Sequence, residues 1–94
     1  MLFILYCTDK PNHEQVRIDT RQAHLDYLSE FKDRVVMAGP SQTDDGAHMT
    51  GSLLIMDFAD RTLAEAFAAN DPYNKAGLFE SVDIRRWKKV IPAD

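Results

Sequence analysis

The sequence predicts an α+β domain of the ferredoxin-like type, β-α-β-β-α-β, and three observations point to it. Four short runs rich in β-branched, aliphatic and aromatic residues alternate with two helix-period stretches in that order. No linker, internal repeat or low-complexity tract divides the chain, so residues 1–94 read as one domain. Two of the four strands are apolar on both faces, which asks for cover on both sides of the sheet.

The first strand is "LFILYC", Leu2–Cys7, bounded by "DKPN". Leu2, Ile4 and Tyr6 point one way and Phe3, Leu5 and Cys7 the other. From about Glu14 to Lys32 the period changes. His24, Tyr27, Leu28 and Phe31 fall at i, i+3, i+4 and i+7, with Gln22, Asp26, Ser29, Glu30 and Asp33 opposite, so this segment is an amphipathic helix. "RVVMAGP", Arg34–Pro40, is the second strand, stopped by Gly-Pro. "SQTDDGAHMT" follows as a polar loop with Asp45-Gly46 as its turn. "GSLLIMDF", Gly51–Phe58, is the third strand, with Leu53 and Ile55 on one face and Leu54, Met56 and Phe58 on the other.

The second helix runs from about Thr62 to Asn70 with Leu63, Ala66 and Phe67 as its apolar stripe. Thr62 and Glu65 have capping-box spacing, and Asp60 competes as the cap. Pro72 disfavours helical geometry at Asp71 and ends the helix there. "ESVDIRRWKKV", Glu80–Val90, is the last strand. Two helices cover one face of a four-stranded sheet. The other apolar face is too large a patch to leave in water, and a second copy related by two-fold symmetry is its simplest cover, so a homodimer through the sheet face is expected.

Composition narrows the function classes. Hydrophobic residues make up 45% and charged residues 28%, an ordinary globular balance. The longest apolar run falls far short of the ~18 residues of a membrane span, and the amino terminus lacks the basic and small-residue features of a signal peptide. With Cys7 alone there is no internal disulfide, which fits a reducing, cytoplasmic setting. The net charge is −4, and the one basic cluster (Arg85, Arg86, Lys88, Lys89) alternates with Val82, Ile84, Trp87 and Val90 as the wet side of a strand, so no nucleic-acid partner is expected. The three histidines are not spaced as a metal set and no second thiol accompanies Cys7, so no metal site is expected. No Gly-x-Ser-x-Gly elbow or glycine-rich phosphate loop occurs.

The remaining chemistry sits at His24 and in "NDPYNKAGL", Asn70–Leu78. His24 is either a boundary histidine satisfied by one hydrogen bond or a working imidazole. Arg21 lies one turn before it on the same side. Asp71 is either the cap of the turn that follows, accepting backbone N–H groups, or the partner of His24. As a pair they would divide labour: the carboxylate fixes one ring nitrogen, and the other serves as acid or base. Pro72 aims Asp71 inward, Tyr73 supplies an aromatic surface with a polar tip, and Gly77 permits a tight return into the last strand.

"RQAHLDYL", "AGP", "GS" opening the third strand, "DPYNKAGL" and the closing "W-KKV" together resemble the YciI-like (YCII-related) family over nearly the whole chain. The resemblance implies a dimeric α+β barrel of ferredoxin-like units with His24 and Asp71 as the catalytic pair. It also implies pocket positions at Gly39, Pro40, Ser52, Pro72, Tyr73 and Gly77. A relative in chloroaromatic degradation is a dehydrochlorinase, while most members have no assigned reaction. One departure is the turn "FKDRVV", where the family commonly places a glycine.

Three readings follow. The first is an acid/base enzyme acting without a cofactor on a small aromatic or enolisable molecule. The second is a ligand-binding or regulatory dimer using the same pair without turnover. The third is a structural subunit of a larger assembly.

Overall fold

The computed structural model describes residues 1–93 and has four strands and three helices. In chain order they are β1 (Leu2–Asp9), α1 (Glu14–Glu30), β2 (Val35–Gln42), β3 (Met49–Asp57), α2 (Arg61–Asn70), α3 (Pro72–Lys75) and β4 (Phe79–Trp87). The strands form one sheet in the order β2-β3-β1-β4, every neighbouring pair antiparallel. The fold is therefore α+β with the expected element order, and the short helix α3 is the addition.

Register places the side chains. Phe3, Leu5 and Cys7 lie opposite Met56, Leu54 and Ser52, and Leu5 and Cys7 lie opposite Ile84 and Val82 on β4. These residues share the helix-side face. There they pack in one core with Ala64, Phe67 and Ala68 of α2, Tyr73 of α3, and Val16, Tyr27, Leu28 and Phe31 on the side of α1. Tyr27, Phe31, Phe58 and Phe67 form an aromatic cluster with centroids 4.9–6.4 Å apart. The Tyr27 hydroxyl donates to the Phe67 carbonyl at 2.8 Å, tying α1 to α2. Both long helices thus cover the same face.

Several boundaries differ from the sequence expectation for identifiable reasons. β2 does not stop at Gly-Pro but runs through Pro40 to Gln42. It is an edge strand, where a proline deprives the sheet of no required donor. A register shift between Val35 and Met37 still sets Ala38 and Pro40 on the helix side, opposite Leu54 and Ser52. The last strand ends at Trp87, so Lys88 and Lys89 lie beyond it. On α2 the buried residues are Ala64, Phe67 and Ala68, while Leu63 and Ala66 are exposed. Asp60 wins the cap, accepting from the Leu63 N–H at 3.0 Å. The Phe31–Arg34 turn needs no glycine, because among the described residues Asn12 is the one non-glycine with positive φ.

No helix among the described residues is long and apolar enough to cross a membrane.

Candidate active site

The site begins with a gap in packing. β2 presents Ala38, Gly39 and Pro40 beneath α1, and these small residues cannot fill the space that larger strand residues would occupy. A cavity of about 400 Å³ results, bounded by α1 on one side and β2 and β3 on the other. That volume suits a small organic ligand.

His24 projects from α1 into this cavity and is nearly buried. Its Nδ1 lies 2.9 Å from Asp71 Oδ1. Facing a carboxylate, Nδ1 carries the hydrogen and donates it. Nε2 has no partner among the described residues and yet is not a sealed, unsatisfied atom, so it opens to the cavity. Asp71 performs both roles that the sequence left open. The same Oδ1 accepts from the Tyr73 backbone N–H at 2.9 Å, capping α3. Extended backbone at Asp71 followed by Pro72 at the first helical position ends α2 and starts α3 within one residue. The helix stop therefore positions the carboxylate.

Tyr73 stacks on the His24 ring, centroids 4.0 Å apart and planes 18° from parallel. On the ring of Tyr73 sits the Arg17 guanidinium, 4.6 Å from the centroid. Arg17 was missed by sequence reasoning. It lies seven residues before His24 on the same helix stripe, and that spacing was the available signal. Its guanidinium is buried, donating from Nε and Nη2 to the two oxygens of Asp9 at 2.8 and 2.9 Å and from Nη2 to Ser52 Oγ at 3.0 Å. Burial works against the charge, but the hydrogen bonds and charge of Asp9 outweigh it, and the Arg17 pKa lies above its ordinary value. Burial likewise raises the Tyr73 pKa, opposed by Arg17 and reinforced by Asp71, so the phenol is neutral at neutral pH.

Of the residues singled out in the sequence, His24, Arg21, Gly39, Pro40, Ser52 and Tyr73 line the cavity. Asp71 stands behind His24. Pro72 and Gly77 do not line it. Pro72 begins α3, and Gly77 follows α3 at φ +76°, where a side chain would be strained. Cys7 is a buried core thiol, pushed up to about 12 first by burial and then by the charge of Asp71.

Comparison with known proteins shows the family and the fold. The model of the YCII-related domain matches residues 1–88. The Escherichia coli O6:H1 protein YciI is 37% identical over 98 residues, which cover 97% of this chain and all of the relative. Among solved structures, the 5-chloro-2-hydroxyhydroquinone dehydrochlorinase TftG from Burkholderia phenoliruptrix, in complex with 2,5-dihydroxybenzoquinone, superposes with a TM-score of 0.90 at 41% identity over the full length of both chains. A Pseudomonas aeruginosa protein at TM-score 0.54 and 15% identity, covering 95% of this chain and 92% of its own, shares the fold. This chain belongs to the YCII-related domain family.

Proposed function

We propose that this protein is an acid/base enzyme of the dehydrochlorinase type, with His24 as the proton carrier and Asp71 as the group that orients it. The observation that carries the reading is the asymmetry of the imidazole: Nδ1 is held at 2.9 Å by Asp71 and Nε2 opens to a cavity of ligand size. Full-length similarity to a dehydrochlorinase supports the reaction class.

Loss of HCl from a chlorinated hydroquinone needs only proton transfers. Nε2 takes the proton of the hydroxyl beside the C–Cl carbon. That C–O becomes C=O, and the ring carbon bearing chlorine takes up the proton. Nε2 then takes the proton of the hydroxyl para to the new ketone. The oxygen electrons form the second C=O, the ring double bond shifts, and chloride departs with its bonding pair. The balance is one HCl released and one quinone formed. A single imidazole can serve because it alternately receives and gives the proton, and Asp71 stabilises it whenever it is charged.

The test is chloride release and quinone absorbance from 5-chloro-2-hydroxyhydroquinone. His24→Asn should lower turnover by ~10²–10⁴-fold while the melting temperature stays within a few degrees. Turnover within about fivefold of the parent would overturn the reading. Binding of the ring by the parent protein without chloride release would instead make it a ligand-binding module.

A further inference from the structure

The hydrogen-bond donors of the cavity are arranged asymmetrically. Two carboxylates serve the site, and neither lines it. Asp9 has both oxygens engaged by Arg17, and Asp71 Oδ1 accepts from His24 and from the Tyr73 N–H. Among the polar groups that line the cavity, Arg17, Arg21 and Ser52 can donate. Arg17 is 6% exposed and locked by Asp9 and Ser52 through Nε and Nη2, with the Tyr73 side chain as a further neighbour of its guanidinium. Ser52 Oγ accepts from Arg17, which leaves its own hydrogen available. Arg21, one turn further along α1, lines the cavity without an ion-pair partner among the described residues. The acidic residue that does line the cavity, Glu14, is occupied by His48 at 3.0 Å and by the Met49 N–H at 3.3 Å. Facing the donors are apolar groups: Ala38, Pro40, Met49 and Leu54.

We infer that the cavity takes its ligand as an oxyanion: a planar ring carrying an ionised oxygen, seated against Arg17, Arg21 and the Ser52 hydroxyl, with its apolar body against the sheet. This deepens the acid/base reading and rests on it for the position of the reacting group at His24. The chemistry favours the charged form for two reasons. A rigid guanidinium on the cavity wall offers charge-assisted hydrogen bonds, shorter and about twice as strong as neutral ones. Its preorganisation by Asp9 and Ser52 means that little reordering accompanies binding. The same donors would steady the negative oxygen that forms when His24 removes a hydroxyl proton.

Equilibrium binding by calorimetry at pH 7.5 tests this without turnover, using 2,5-dihydroxybenzoquinone as the ionised ring and 2,5-dimethoxybenzoquinone as its neutral counterpart. The ionised ring should bind at least tenfold more tightly. Arg21→Gln, at an exposed position where folding is not at stake, should weaken the ionised ring about tenfold and leave the neutral ring within twofold. Arg17→Lys, which keeps the charge and loses the fork, should also weaken the ionised ring. Equal affinity for the two rings, an Arg21→Gln variant without selective loss, or failure of the ionised ring to bind at millimolar concentration overturns the inference. If the ionised ring binds selectively and chloride is never released from the chlorinated substrate, the oxyanion inference stands and the acid/base reading falls.

Discussion

Burying an ionisable side chain couples its charge state to folding, and three such groups, Arg17, Cys7 and Tyr27, give measurable consequences here. Removing Arg17 would strand the Asp9 carboxylate in the interior, where a lone charge costs far more than the pair. Arg17→Met is expected to lower stability by about 3–5 kcal/mol, and adding Asp9→Leu should restore most of it, a non-additivity that urea titration of the two single variants and the double variant will read. Additive losses would show that the pair is not the source. Cys7 and Tyr27 act at the other end of the pH scale. Burial raises Cys7 from 9.0 to about 12 and Tyr27 from 10.0 to about 12, with Asp71 adding to both. Between pH 9 and 12 the unfolded chain therefore releases protons that the folded chain retains, so stability is full below pH 9 and falls as pH rises through that window. The urea midpoint should drop more steeply with pH in the parent than in Cys7→Ala, and Cys7 should resist iodoacetamide at pH 8 until the protein unfolds. Equal pH slopes in the two proteins would contradict this account.

At the scale of the elements, β1 leaves no room for a side chain on β3 at Gly51. A β-carbon there would run into the Cys7 carbonyl, with Ser41 Oγ at 3.0 Å as a second obstacle. The carbonyl belongs to a central strand and cannot yield. Gly51→Ala should cost about 2 kcal/mol, a fall of roughly 10 °C in melting temperature for a domain of this size. It should also loosen the neighbouring Ser52 from Arg17, so ligand affinity should drop with stability. A melting temperature unchanged within 2 °C would mean that the strands can part. This constraint was not legible in "TGS", because it depends on which strand lies alongside. What was legible had a local cause. The helix period of α1, the Pro72 stop and the doubly apolar strands each follow from spacing within a few residues. The placement of His24 and Asp71 was partly legible too, since the proline that ends α2 also orients the carboxylate. Arg17 was not, because a charged residue on an apolar stripe reads as solvent-facing until a partner is known. Asp9, at the end of β1 and eight residues away, supplies that partner only when the chain folds back.

For the whole molecule the sheet face away from the helices carries exposed apolar side chains. Tyr6, Leu53 and Met37 on this face are 49%, 40% and 59% exposed, while Ile4 and Trp87 are half-buried. Register puts Tyr6 opposite Leu53 on β3 and opposite Asp83 on β4, and Ile4 opposite Ile55 and Arg85, so the apolar centre has a charged rim along one edge. We propose that a second copy covers this face by two-fold symmetry. A self-complementary patch with an apolar middle and a polar border is the form such an interface takes. An interface of the stable class buries about 1,200–2,000 Å² in total, which the area of a four-stranded sheet can supply. Light scattering at micromolar concentration should return twice the chain mass. Leu53→Asp, placed at the centre of the patch and outside the core, should halve that mass without destroying the helical circular dichroism signal. Arg85→Ala, at the rim, should shift the salt dependence of association and little else. The cavity opens on the opposite side of the sheet, between α1 and the β2–β3 strands. A monomeric Leu53→Asp variant should therefore retain ligand binding, weakened only as far as its lower stability dictates. A parent protein that is monomeric at these concentrations would refute the dimer while leaving the His24 site untouched.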